Sequence, residues 1–112
     1  MRDDRGRLAD ILAAIDKIRT KTAAGRAAFE VDEMLQVWVL HHLQIIGEAA
    51  RCLSTEFRLR NPDDVWSEAV GMRNILVHHY FEIAADVIWK VVENDLMPLR
   101  EKVQKILDGG LG

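Results

Sequence analysis

The stretch MRNILVHHYFE, residues 72–82, surrounds a short aliphatic run with polar side chains. Arg73 and Asn74 precede the aliphatic residues, and His78 and Tyr80 follow them. An imidazole titrates near neutral pH, and a guanidinium presents a fork of donors that matches two phosphate oxygens. An amide beside them can orient the imidazole or a ribose hydroxyl. These residue types are compatible with acid–base chemistry at a phosphate ester, which needs a base, an acid and a cation.

The spacing of these residues on an ideal helix separates two of them. Arg73 and Tyr80 lie on one face, whereas Asn74 and His78 share a neighbouring face. Arg73 and His78 therefore complete one site only if the helix end bends or a second subunit contributes. Each residue taken alone is also typical of an ordinary helix surface, where arginine pairs with an acid and histidine or tyrosine lies near the end.

Two histidine doublets, His41-His42 and His78-His79, are candidates for metal ligands. Adjacent histidines on a helix diverge by about 100°, and no histidine or aspartate follows any of them at the fourth position. The acid at that spacing is Glu82, four residues after His78. We therefore predict no metal and no cofactor. His79 is expected to be an exposed helix-end residue, and the first doublet to lie in a helix interior or an interface.

Two further polar residues lie on the second apolar pattern of the chain. Glu48, within IGEAA, stands among small residues that let helices approach closely, where a carboxylate needs a partner. A buried or interface salt bridge, for example to an arginine, is the first interpretation, and a position along the cleft of a functional site is the second. Cys52 is the only cysteine, so it forms no internal disulfide, and its apolar flank predicts a buried, inert thiol.

Length and charge limit the classes of protein. The 112 residues suffice for one hydrophobic core, and we predict a single domain over residues 1–112. The net charge of −3 argues against a generally basic surface, although residues 1–26 hold seven Lys and Arg against four Asp. No stretch is apolar enough for a leader or a membrane span, which predicts a cytoplasmic protein. The sequence has no Gly-rich phosphate loop and no G-x-S-x-G elbow.

Apolar periodicity predicts an all-α fold. The expected helices cover about residues 4–20, 33–53, 63–79 and 83–107. Asp32 suits the N-cap of the second helix, which should be central, and Asn61-Pro62 separates it from the third. Pro98 should kink the last helix. Since no segment alternates like a strand, the simplest architecture is a four-helix antiparallel bundle with a Pro-kinked last helix.

The pattern R-N-x-x-x-H-x-Y, from Arg73 to Tyr80, resembles the R-x-x-x-x-H-x-Y signature of the HEPN ribonuclease superfamily, in its HepT-like toxin branch. Five other stretches agree in order and spacing: LADILAAIDKI, Phe29-x-x-Asp32, IGEAARCL, WSEAVGMR and VIW at 87–89. The resemblance covers residues 8–107. One departure is Ala84, which stands where relatives commonly have an aspartate, and it leaves open what replaces that acid near the site.

The resemblance implies an HEPN-like helical bundle and a metal-independent endoribonuclease, the toxin of a toxin–antitoxin pair, with RNA, transfer RNA included, as its substrate. It implies catalytic roles for Arg73, Asn74 and His78, and a symmetric homodimer would place two such sets along one cleft. It also implies an MNT-type nucleotidyltransferase antitoxin that transfers AMP from ATP to Tyr80. The alternative is a non-catalytic HEPN-like helical module that binds a nucleotidyltransferase partner.

Overall fold

Helices joined by short turns make up the computed structural model, which describes residues 3–74 and 81–109, without the side chains of 81–84. These residues form seven α-helices and no strand. The helices are α1 (Asp4–Lys21), α2 (Arg26–Glu30), α3 (Glu33–Arg51), α4 (Thr55–Arg60), α5 (Asp64–Gly71), α6 (Phe81–Asn94) and α7 (Leu96–Gly109). The all-α class is confirmed for the described residues, but the arrangement is not a simple four-helix bundle. Periodicity did not reveal α2 and α4 because they are too short to repeat a pattern.

Short polar side chains determine where four of the helices begin. Asp3, Asp32 and Ser54 each accept a hydrogen bond from the backbone N–H three residues further on, and Asp63 accepts one from Val65. These bonds satisfy donors that have no partner within the first helical turn. The predicted N-cap at Asp32 is confirmed.

The core lies where α1 packs along α3 and against α7. The buried residues of α1 recur at the spacing of one helix face, as predicted: Leu8, Ile11, Ile15 and Ile18. Burial of each such side chain contributes about 1.5–3 kcal/mol, so this face is a main source of stability. α3 also contacts α2, α5 and α6, in agreement with its predicted central position. None of the described helices has the length and apolar character needed to cross a membrane.

The chain turns sharply after the second predicted helix. α3 ends at Arg51, and α4 begins at Thr55. Asp4 accepts hydrogen bonds from both the nitrogen and the hydroxyl of Ser54, at 2.8 and 2.7 Å. The same hydroxyl oxygen accepts a bond from the Phe57 nitrogen at 3.0 Å. Ser54 therefore starts a new helix and joins it to the beginning of α1.

The predicted kinked last helix is in fact two helices. α6 ends at Asn94, and α7 begins at Leu96 after a turn at Asp95. Pro98 is the third residue of α7, where a backbone N–H would have no intrahelical partner and the ring is tolerated. In one continuous helix the same proline would leave the Asn94 carbonyl without a donor. The prediction of a kink was therefore wrong, and the chain breaks instead.

The third predicted helix changes its geometry before the polar stretch. α5 ends at Gly71, and Met72–Asn74 tighten into a 3-10 turn. A 3-10 turn has three residues per turn, so the α-helical register that placed Arg73 relative to its neighbours does not apply here. The remainder of this predicted helix, residues 75–79, lies outside the described residues.

Candidate active site

The 3-10 turn lies directly against the second half of α3. A β-carbon at Gly47 would lie 2.5 Å from the Arg73 nitrogen and 2.6 Å from the Arg73 β-carbon, closer than real β-carbons approach other atoms. A side chain at position 47 is therefore incompatible with this contact. Met72, which is only 3% exposed, anchors the same turn in the core. Together these contacts set the position of the Arg73 backbone.

Glu48 connects two arginines beside that contact. Its carboxylate oxygens lie 2.6 Å from Nη2 and 3.1 Å from Nε of Arg51, and Oε2 lies 3.4 Å from Nε of Arg73. The Arg51 contact is a two-point pair within α3, whereas the Arg73 contact joins α3 to the 3-10 turn. The side chains of Glu48 and Arg73 are 46% and 43% exposed. The contact uses Nε, and no ion pair within the described part of the chain involves the terminal nitrogens of Arg73.

The carboxylate of Glu48 is a fixed negative charge. Its hydrogen bonds with Arg51 are the main cause that lowers its pKa to about 2 from the ordinary 4.5. Partial desolvation opposes that shift, and the charge of Arg73 adds to it. Glu48 is therefore ionised at neutral pH and cannot donate a proton there. Because solvent screens these half-exposed charges, the pairs orient Arg73 more than they stabilise the fold.

The described residues include two of the predicted catalytic side chains. Arg73 and Asn74 both lie in the 3-10 turn and are exposed to solvent. Successive residues of a 3-10 turn diverge by about 120°, so the guanidinium and the amide leave this turn in different directions. His78, His79 and Tyr80 lie outside the described residues, and their predicted roles stay predictions.

Asp86, two residues after Ala84, forms ion pairs with basic side chains of α2 and α6. Asp86 lies 2.6 Å from Nη2 of Arg26 and 3.3 Å from Nζ of Lys90. These contacts tie α6 to α2 and hold Asp86 on the surface of α6. Hydrogen bonding to Lys90 is the main cause that lowers the pKa of Asp86. Asp86 is thus an ionised structural residue that joins α6 to α2.

In the first histidine doublet, one residue lies on the surface and the other in the interior. His41 is exposed, whereas His42 is buried and its Nδ1 lies 2.8 Å from the Trp38 carbonyl oxygen. Because a carbonyl only accepts, Nδ1 carries the proton. His42 thus fits the predicted helix interior. Among the described residues, no group of three or more His, Cys, Asp or Glu side chains could hold a metal ion.

Cys52 is more exposed than the sequence predicted. The thiol is only partly buried, and its Sγ lies 3.7 Å from both Oε1 of Glu48 and Nη2 of Arg51. The expectation of a buried thiol was wrong because α3 ends here, at the C-cap, and turns Cys52 towards the ion pair. The salt bridge of Glu48 to an arginine is confirmed, although the carboxylate is half exposed rather than buried.

Two residues of the site escaped sequence reasoning. Gly47 determines the contact with Arg73, and Arg51 is the stronger partner of Glu48. The spacing of Glu48 and Arg51 by three residues on a helix was a visible signal for their pairing. The role of Gly47 had no local signal, because its neighbour lies 26 positions further along the chain.

Comparisons with known proteins identify the family of the chain. Residues 11–106, which include Gly47, Glu48 and the stretch from Arg73 to Tyr80, match the family model described as "Ribonuclease HepT-like". The chain is 38% identical over 104 residues to "Putative RNase MJ1380" of Methanocaldococcus jannaschii, covering 92% of this chain and 95% of that protein. It is 34% identical over 108 residues to "Probable ribonuclease HepT" of Thermococcus cleftensis, covering 94% and 96%.

A third relative covers less of each chain. "Putative RNase TTE0752" of Caldanaerobacter subterraneus is 35% identical over 79 residues, which are 70% of either protein. No solved structure matches the chain. The family model and the two longer alignments cover nearly the whole sequence, and on that basis the chain belongs to the Ribonuclease HepT-like family.

Proposed function

We propose that this protein is a metal-independent endoribonuclease of the HEPN type and the toxin of a toxin–antitoxin pair. Its family supports RNA as the substrate. The observation that carries the proposal is the placement of Arg73, whose backbone lies against Gly47 and whose Nε lies 3.4 Å from Glu48. An oriented and partly exposed guanidinium can bind two oxygens of an RNA phosphate.

In the proposed reaction, the ribose 2′-hydroxyl attacks the adjacent phosphorus. One His78 accepts the hydroxyl proton, a second donates a proton to the leaving 5′-oxygen, and Arg73 stabilises charge on the non-bridging oxygens. Asn74 orients the imidazole or the ribose. The new P–O2′ bond forms as the P–O5′ bond breaks, so the products are a 2′,3′-cyclic phosphate and a 5′-hydroxyl. Side chains supply every group that this reaction needs.

The proposed enzyme acts as a homodimer, because one chain has a single His78 for the two proton transfers. A twofold-symmetric pair would place two His78 and two Arg73 along one cleft. Gly71 is exposed at the end of α5 and can contact a symmetry mate, whereas Met72 is buried in its own chain. Sedimentation should show a dimer at micromolar concentration, and an active monomer would contradict this part of the proposal.

The proposed control is modification by an MNT-type nucleotidyltransferase antitoxin. The Tyr80 phenol oxygen attacks the α-phosphorus of ATP, pyrophosphate leaves, and the phenolic proton passes to solvent. The product is an AMP phosphodiester on a residue seven positions after Arg73. Its negative charge would compete with the RNA phosphate for the guanidinium, and the bulk of the nucleoside would fill the cleft.

The function is tested by incubating the purified protein with RNA in the presence of EDTA. We expect cleavage, with 2′,3′-cyclic phosphate ends identified by mass spectrometry. Strict dependence on a divalent metal would contradict the mechanism. If the protein cleaves no RNA yet binds a nucleotidyltransferase, it is the non-catalytic helical module instead.

A further inference from the structure

A small, mostly apolar cavity of about 250 Å³ lies between α1 and α3. Four residues of α1 border it, and α3 contributes one aromatic side chain. The lining residues are Asp16, Lys17, Thr20, Lys21 and Trp38. Two lysines and a tryptophan therefore border one small space that takes no part in the proposed chemistry at Arg73.

The charge in this cavity is positive. Nε and Nη2 of Arg100 lie 2.7 and 3.2 Å from the two carboxylate oxygens of Asp16, so the arginine neutralises the one acid in the lining. Lys17 and Lys21 form no ion pair with any side chain that the structure describes. Four residues apart on one helix, they present their charges on the same side. An anion is therefore favoured beside them.

The indole of Trp38 is held in place by its neighbour on the next turn of α3. The ring centroids of Trp38 and His42 are 4.0 Å apart, and the planes are inclined by 32°. The imidazole is itself fixed, since it is buried and its Nδ1 donates to the Trp38 carbonyl oxygen. One face of the indole thus packs on the fixed His42 imidazole. The Trp38 side chain is partly exposed and borders the cavity.

We propose that this cavity is an RNA subsite, in which an unpaired base stacks on Trp38 and the adjacent phosphates bind Lys17 and Lys21. Exposed aromatic rings beside a basic groove are how proteins bind single strands without reading their sequence. The choice of RNA as the polyanion rests on the proposed function. The site would select substrates that are unpaired near the cut.

The position of the cavity fits a strand that also reaches the candidate active site. Trp38 and Glu48 are ten residues apart on α3, which places them ~15 Å apart along the helix axis. Glu48 in turn contacts Arg73. A strand lying along α3 would therefore join the two sites with a few nucleotides between them.

The test measures binding of a 2′-O-methylated single-stranded RNA, which cannot be cleaved by attack of its 2′-oxygen. Binding is followed by fluorescence anisotropy at several salt concentrations. Replacing both lysines, Lys17→Ala with Lys21→Ala, should reduce the salt slope of log Kd by about 1.4, since each phosphate contact on a single strand contributes ~0.7. Trp38→Ala should weaken binding roughly tenfold, whereas Trp38→Phe keeps a ring for stacking and most of the affinity.

The matched control removes two lysines from another groove. Lys102 and Lys105 of α7 border a separate cavity, and Lys102→Ala with Lys105→Ala changes the net charge by the same amount. If this control weakens RNA binding as much as the α1 pair does, general electrostatics explains the effect and the subsite is refuted. Equal affinity of native protein and Trp38→Ala also refutes it.

Two further measurements distinguish RNA from free nucleotides as the ligand, and RNA binding from RNA cleavage. AMP is titrated alone, and binding of AMP as tight as that of RNA, lost in Trp38→Ala, would assign the cavity to free nucleotides and overturn the RNA subsite. Cleavage of unmodified RNA is measured in parallel. RNA bound through Trp38 without cleavage would support the subsite while the proposed catalysis fails, and native protein that binds no single-stranded RNA would overturn the subsite itself.

Discussion

Gly47 and Arg73 touch through their backbones, with no room for a β-carbon between α3 and the 3-10 turn. The contact brings a residue of the candidate active site onto the most central helix of the fold. The position of the Arg73 side chain therefore depends on this backbone contact.

Gly47→Ala should displace the 3-10 turn and lower the free energy of unfolding. A β-carbon 2.5 Å from the Arg73 nitrogen must displace backbone, because no flexible side chain can give way there. We expect a loss of about 1–3 kcal/mol in the free energy of unfolding, measured by urea denaturation, and reduced RNA cleavage. The control is Gly71→Ala, where an added β-carbon meets nothing within 4 Å. Its helical position predicts unchanged or slightly higher stability. Equal stability of the two variants would show that the turn does not rest on Gly47.

Glu48→Gln should lower both kcat and KM for RNA cleavage. The carboxylate orients Arg73 through a 3.4 Å contact, so its loss reduces stabilisation of the transition state. The same carboxylate repels the RNA phosphate, so its loss tightens substrate binding. Steady-state kinetics measures both constants. A variant with lower kcat and raised KM would mean that Glu48 contacts the substrate favourably, and unchanged constants would remove it from the site.

Stability should depend on pH partly through Glu48. Its pKa is lowered to about 2 in the folded chain from the ordinary 4.5, so its stabilising contribution is present above 4.5 and is lost as the pH falls towards 2. The difference in Tm between native protein and Glu48→Gln should therefore shrink over that range. Glu101→Gln, an exposed carboxylate without an ion pair among the described residues, serves as control. Its difference from the native Tm should stay constant.

His78→Ala and Arg73→Ala should each abolish RNA cleavage and toxicity while the circular dichroism of the helices stays unchanged. The first removes the proton-transfer group, and the second removes the cation at the phosphate. The matched control is His79→Ala, which removes the neighbouring imidazole and should retain activity. Full activity in His78→Ala would refute the proposed mechanism.

Tyr80→Phe should escape modification by the nucleotidyltransferase partner. Incubation of native protein with the partner, ATP and Mg²⁺ should add one or more AMP masses to the peptide that contains Tyr80, with loss of RNA cleavage. The phenylalanine variant lacks the attacking oxygen and should stay unmodified and active. Neutralisation of both proteins without added mass would show that the partner acts by simple complex formation.

The sequence by itself determined the helical class and the start of α3, and it predicted the chemistry of the polar stretch. These features depend on neighbours along the chain: Leu8 and Ile11 repeat on one helix face, and the Asp32 carboxylate reaches the nitrogen of Leu35. The motif from Arg73 to Tyr80 is equally local. Where two local signals competed, prediction was weaker, as at Pro98, where apolar periodicity suggested continuity and the missing N–H required a break.

Only the tertiary structure decided which distant residues meet. Gly47 lies against Arg73 because α3 and the 3-10 turn pack without a side chain between them. The residue pattern of neither segment predicts this contact. The same packing puts Glu48 beside Arg73 and brings Trp38 next to the lysines of α1. Periodicity indicates which face of a helix is buried, but the partner and the register across an interface follow from how several faces fill space together.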